Sequence, residues 1–161
     1  MFRRSKGFTL LELLIVLVII GITVSFTVLS FGLKDPQDEL KQHGERLAAL
    51  MQLASEESIL LGHELALQFD DGGYSFLTLK NDHWSRIEND QIFRQRELPE
   101  HIRSEISVEG AGTSDSASER VYFFSSGETS PFTLTLSSRD TDASYYLSGD
   151  SQATIEHGNE K

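Results

Sequence analysis

The sequence predicts an α+β protein in which a long, hydrophobic N-terminal α-helix is packed against a globular domain of antiparallel β-sheet, a β-sandwich in its simplest form. Three observations predict it. From Leu13 to Leu33 the chain runs for 21 residues without a charge. Beyond that run, Leu40, Leu47, Met51, Ala54 and Leu61 recur at spacings of 7, 4, 3 and 7, which is one face of a helix. After Gly62 the apolar period drops to two, and short alternating runs separated by turn residues continue nearly to the last residue.

The uncharged run is apolar on every helical face. At about 1.5 Å per residue it reaches roughly 30 Å, the thickness of a bilayer's hydrocarbon core. A helix apolar all round is either a membrane span or the centre of a large protein, and 161 residues are too few to bury one, so a single span is expected. Arg3, Arg4 and Lys6 precede it and favour a cytoplasmic N-terminus, which sends the remainder across the membrane. The rival reading is a cleaved secretory signal peptide. Its apolar core would be only about 7–15 residues long, and the chain offers just a loose small-x-small site at Ser30-Phe31-Gly32. Glu12 stands out at the start of the run. A carboxylate in a spanning helix costs up to about 2.5–3.5 kcal/mol at mid-bilayer, so Glu12 is either functional or wet at headgroup depth. Gly21 interrupts the branched side chains and weakens a helix by roughly 0.5–1 kcal/mol relative to alanine; a close contact between helices is one reason to keep it.

At the exit from this run, Pro36 removes a backbone donor and disfavours helical geometry at Asp35. Asp35 could instead cap a renewed helix with Pro36 at its first position. Either a kinked continuous helix or two stacked segments follows over residues 34–62. Asp38, Lys41, Glu45, Arg46 and Glu56 lie off the apolar face, so this helix is amphipathic to about Leu61, with Gly62 as its stop. Core packing accounts for its stripe.

Residues 63–161 read as the β domain. Leu65, Leu67 and Phe69 alternate, Asp70-Asp71-Gly72-Gly73 supplies turn chemistry, and Phe76–Leu79 runs on. Asn81-Asp82 is the next turn, before His83–Ile87. Further extended segments are expected at Ile92–Arg96, Ile102–Val108, Val121–Phe124, Phe132–Leu136, Tyr145–Leu147 and Ala153–Glu156. Strict alternation in Phe132-Thr-Leu-Thr-Leu136 puts one face in the core and one in water. Glu109–Glu119, rich in glycine and serine, reads as a mobile loop, and His157–Lys161 as a frayed tail.

Composition narrows function. The formal net charge is −11, and residues 34–161 carry 11 basic against 24 acidic side chains. That balance argues against nucleic acid as a partner, because phosphate contacts need clustered lysine and arginine. No cysteine is present, which excludes disulfides and thiolate zinc sites. Asp70-Asp71, Asp140-Thr141-Asp142 and Asp150 invite a calcium hypothesis but lack a spaced ligand ladder, and read as turn residues. The histidines at 43, 63, 83, 101 and 157 form no metal-spaced pair. No Gly-x-Ser-x-Gly elbow occurs, and Gly-Ala-Gly at 110–112 lacks the Lys-Ser/Thr of a phosphate loop. No catalytic residue, metal or cofactor is therefore assigned.

Lys6-Gly7-Phe8-Thr9-Leu10-Leu11-Glu12-Leu13 resembles the processing motif of type IV pilins and type II secretion pseudopilins. The resemblance implies that residues 1–7 are a basic leader, cut after Gly7 by a prepilin peptidase that also methylates the new N-terminal Phe8. Residues 8–33 would then be a span in the bacterial inner membrane before assembly and filament core afterwards, with the acidic domain in the periplasm. It also gives Glu12 a role. Cleavage exposes an α-amine with an ordinary pKa near 7.7–8.0, which methylation leaves cationic. In the family this glutamate pairs with the terminal amine of a neighbouring subunit; Phe8 and Glu12, four apart on one helix, could also pair within one chain. Filaments of this type suggest a second reading of Gly21, a soft point where the helix unwinds on assembly, and Pro36 is a further point of helix flexibility. Ser125-Ser-Gly-Glu-Thr-Ser-Pro-Phe-Thr-Leu-Thr-Leu136 resembles a stretch of the H-type minor pseudopilins. The implied partners are the other pseudopilins, the prepilin peptidase/methyltransferase and the inner membrane, near the tip of a short filament that drives folded proteins through the outer membrane. The alternatives are a minor type IV pilin involved in pilus assembly or DNA uptake, which the shortage of basic residues disfavours, and a signal-anchored periplasmic hydrolase or binding protein.

Overall fold

The computed structural model describes residues 10–30, 35–70, 72–109 and 120–159, with side chains in the first helix as far as Thr23. The chain divides into two compact units, Met1–Lys34 and Asp35–Lys161. In the first, α1 spans Leu10–Ser30. Its large apolar side chains from Leu10 to Ile22 are exposed. The Thr23 hydroxyl donates back to the carbonyls of Ile19 and Ile20, at 3.0 and 2.9 Å, so its polar atom is satisfied by the helix that carries it. Among the described residues no helix is long and apolar enough to cross a membrane. The uncharged run to Leu33 extends beyond the last described side chain of α1.

The second unit opens with α2, Pro36–Leu61. Asp35, at φ −59° and ψ 122°, is not helical; its carboxylate accepts the Gln37 N–H at 3.0 Å, and Pro36 takes the first turn, where a missing N–H costs nothing. The backbone is therefore not one continuous helix through Asp35. Replacing Asp35 by alanine should cost about 1 kcal/mol, read as a lowered denaturation midpoint with an unchanged m-value. At the other end Gly62 adopts a left-handed φ of 67° and its N–H returns to the Ser58 carbonyl, closing the helix as the sequence predicted.

Among the described residues nine strands follow, all pairing antiparallel: β1 (Leu65–Asp70), β2 (Gly73–Lys80), β3 (His83–Arg86), β4 (Arg96–Glu97), β5 (Ile102–Val108), β6 (Arg120–Phe123), β7 (Phe132–Ser138), β8 (Ser144–Gly149) and β9 (Ile155–Asn159). One sheet runs β3-β2-β1-β6, with β4 also on β2; the other runs β5-β7-β8-β9. Asn81 and Asp82, both at positive φ (51° and 62°), turn β2 into β3 in the two-residue geometry that matches strand twist. Cross-strand rows such as Leu67 with Phe76 and Val121, and Leu134 with Leu147 and Ile106, supply the inner faces. Leu40, Leu47, Met51 and Ala54 of α2 join them in one continuous core. Gln37 fastens the start of α2 to β8 through a 3.0 Å bond from its amide to the Ser144 carbonyl.

Four expectations are corrected. Leu61 is 53 % exposed, because the buried line of α2 passes through Met51 and Ser58 and leaves the last turn off it. The Ser58 hydroxyl, fully buried, bonds the Ser55 and Phe124 carbonyls and makes that line tolerable for a polar residue. Ile92–Arg96 is not a strand: the Asp90 carboxylate captures the Ile92 and Phe93 N–H groups at 2.6 and 2.9 Å, and pairing begins only at Arg96. Ala153 lies at φ 59° inside a turn that the Asp150 carboxylate holds by the Gln152 and Thr154 N–H groups, so β9 starts later. It also runs further. His157–Asn159 are paired with β8 rather than frayed, and the His157 Nδ1 meets the Tyr145 hydroxyl at 2.6 Å. Of the Glu109–Glu119 stretch, all but Glu109 lies outside the described residues.

Candidate functional site

The sites read from the sequence gather on α1. Glu12 lies in its first turn, where the positive end of the helix dipole favours a carboxylate by about 0.3–1 kcal/mol. Gly7 and Phe8, to which cleavage and methylation were assigned, lie outside the described residues. Gly21 sits within α1, and among the described residues a Cβ built there would meet nothing within 4 Å. Pro36 belongs to the other unit, at the start of α2.

Two of the carboxylates that suggested calcium, those of Asp70 and Asp150, are engaged otherwise. Asp70 accepts from Arg86 at 2.9 Å and from Gln68 at 3.0 Å, and Gln68 in turn accepts from Arg120 at 2.9 Å. Asp150 is spent on its own turn. Among the described residues no group of three or more histidine, aspartate or glutamate side chains is placed to hold a metal.

Sequence reasoning missed a concave basic feature. His43 and Arg46 of α2 converge with Tyr74 of β2 and with Arg94, Gln95, Arg96 and Glu97 around a cavity of about 520 Å³. Arg94 and Arg96 lie two apart in an otherwise acidic domain sequence, and that local pairing of basic residues was the available signal. Burial pushes the Tyr74 phenol above its ordinary pKa, while the neighbouring Arg96 and Arg46 charges work in the opposite direction.

The motif at the head of an apolar helix, with a body of one amphipathic helix on two antiparallel sheets, defines a subunit of the type IV pilin-like class. Similarity to known proteins is specific within it. Residues 43–153 match the model of the family described as type II transport protein GspH, and residues 2–28 match the prokaryotic N-terminal methylation motif. The type II secretion system protein H of Aeromonas hydrophila is 34 % identical over 158 residues, covering 89 % of this chain and 86 % of that protein. The protein of the same name from Pseudomonas aeruginosa is 31 % identical over 151 residues, covering 85 % and 86 %. The solved structure of the minor pseudopilin EpsH from the type 2 secretion system of Vibrio cholerae superposes with a TM-score of 0.63 at 24 % identity, over 75 % of this chain and 97 % of that one. The type IV minor pilin FimU of Pseudomonas aeruginosa shares the fold more distantly, with a TM-score of 0.55 at 20 % identity over 75 % and 89 %. The chain belongs to the GspH family, the H-type minor pseudopilins of the type II secretion system.

Proposed function

We propose that the chain is matured by cleavage between Gly7 and Phe8 and by methylation of Phe8, and that it then assembles with other pseudopilins near the tip of a periplasmic filament that moves folded proteins across the outer membrane. The observation that carries this reading is the methylation motif over residues 2–28 with Glu12 in the first turn of the apolar helix behind it. Before assembly the run from Leu13 to Leu33 anchors the chain in the inner membrane, N-terminus cytoplasmic and acidic body periplasmic. On assembly that run becomes filament core, where the exposed leucine, isoleucine and valine side chains of α1 exchange lipid for neighbouring helices.

Glu12 is the recognition element in this scheme. A carboxylate and an ammonium are each costly in a low dielectric and attract strongly when brought together, so the positive chain end left by cleavage and Glu12 neutralise one another. Gly21 and Pro36 supply the give that lets a membrane helix settle among its neighbours. The role asks no bond-making of the chain: its helix bundles, its acid neutralises an amine, and its two-sheet body selects neighbours.

Mass spectrometry of the N-terminal peptide of protein purified from membranes tests the maturation. A peptide beginning at methylated Phe8 is expected. An intact Met1, or a start beyond residue 27, would overturn the reading in favour of an uncleaved anchor or a secretory signal.

A further inference from the structure

From the cavity lined by His43, Arg46, Tyr74, Arg94 and Arg96 we infer a docking site for a carboxylate-rich segment of a neighbouring filament subunit, an inference that rests on the assembly reading above. Three of the seven arginines of residues 34–161 meet here, on a body where acids outnumber bases 24 to 11. The convergence is built by the fold. Arg46 comes from α2, while Arg94 and Arg96 come from a segment pinned on both sides: Phe93 is buried against the Phe76 ring at 5.0 Å, and Arg96 pairs with Tyr74 through β4. The Arg96 guanidinium also donates to the Arg94 carbonyl at 3.0 Å, which holds its fork in place. The Arg96 guanidinium, fixed in this way, loses little freedom when a ligand arrives.

Glu97 is the one acid on the lining, against three guanidinium groups. Among the described residues the ion pairs are Lys41–Glu45, Arg86–Asp70 and His101–Glu39, and none of them engages Arg46, Arg94 or Arg96. Guanidinium forks match carboxylates two bonds at a time. A cavity of about 520 Å³ is far larger than one small anion and leaves room for more than one carboxylate side chain. A body with 24 acidic and 11 basic side chains repels any acidic neighbour; a basic cavity on it that meets the neighbour's acids offsets that repulsion and fixes which faces meet.

Hexaglutamate titrated into the full-length chain in detergent micelles, followed by backbone amide NMR, tests the site. Shifts at Tyr74 and Arg96 that weaken with added salt are expected. The exposed double variant Arg46→Glu/Arg94→Glu should bind at least tenfold more weakly, and Arg103→Glu, on β5, should bind as the parent does. Undetectable binding, equal binding by the double variant, or inorganic phosphate competing as well as the peptide would each overturn the proposal, the last by reducing it to a simple anion site. In membranes, carbodiimide treatment of the Arg94→Lys variant should join the new amine to an Asp or Glu of another subunit bearing the methylation motif. A link only to the chain's own Glu97 would overturn the neighbour as occupant. The N-terminus read on the same sample separates the two readings: methylated Phe8 without peptide binding defeats the cavity alone, and peptide binding with any other start supports the cavity and defeats the maturation.

Discussion

Replacing Glu12 by alanine should leave cleavage after Gly7 intact and reduce secretion more than a hundredfold. Removing one partner of a charge pair in low dielectric strands the other, a loss of about 3–5 kcal/mol, and each 1.4 kcal/mol is a factor of ten in an equilibrium. Glu12→Gln separates charge from shape. It keeps the length and hydrogen-bonding capacity of the side chain, so if neutralisation of the terminal amine is what matters, it fails as the alanine variant does. The measurement is a secreted-protein assay in cells lacking the native chain, with membrane fractions probed for the size of the processed form. Normal secretion by Glu12→Gln would refute the pairing argument, and an unprocessed precursor would move the role of Glu12 to peptidase recognition. The first turn of α1 carries the positive end of the helix dipole, the same sign as the stranded amine, so it cannot replace the missing carboxylate.

A large effect on stability is expected at Gly44. A Cβ at this position would run into the Tyr145 ring, where α2 packs on β8. Gly44→Ala should therefore destabilise the body by about 1–3 kcal/mol despite alanine's better helix propensity, out of a total of roughly 5–15 kcal/mol for a domain. Tyr145 is buried and its hydroxyl is bonded to His157, so the ring has little room to retreat. Thermal unfolding followed by circular dichroism should show a drop of several degrees. In the Tyr145→Leu background the same glycine substitution should cost much less, since the obstructing ring is gone. Equal costs in both backgrounds would show that the close approach is not what requires glycine.

Much of the body was legible because its signals are local. Asp35-Pro36 and Gly62 mark both ends of α2, and each acts through its own backbone geometry. Leu65, Leu67 and Phe69, and Phe132, Leu134 and Leu136, declared their strands by alternation, since a period of two leaves one face for the core. The failures share a cause. At Ile92–Arg96 the apolar residues suggested a strand, while the Asp90 side chain, by taking two N–H groups, had already committed them to a turn. At the tail nothing in His157-Gly158-Asn159 announces a strand; β8 recruits it, and the Tyr145–His157 bond secures it.

The outer face of the β3-β2-β1-β6 sheet shows the same division. Alternation in β1 and β2 assigns Ala66 and Leu77 to the side away from the main core. They are 0 % and 4 % exposed, because Trp84 of β3 and Tyr122 of β6 reach across the two intervening strands to within 5.4 Å of each other. A roof built from opposite edges of a sheet has no sequence period. The basic cavity is of the same kind: Arg46 and Arg94 are far apart in the chain and become neighbours only when α2 and the segment before β4 close on the same core.

By itself the sequence determined the apolar N-terminal helix, the processing motif with its single acid at Glu12, the C-terminal end of α2, and most strands, since each depends on residues within a few positions of one another. Only the tertiary structure decided which glycine must stay small, which outer-face residues are dry and which arginines converge, because those depend on distances between segments that backbone connectivity leaves free and only packing fixes.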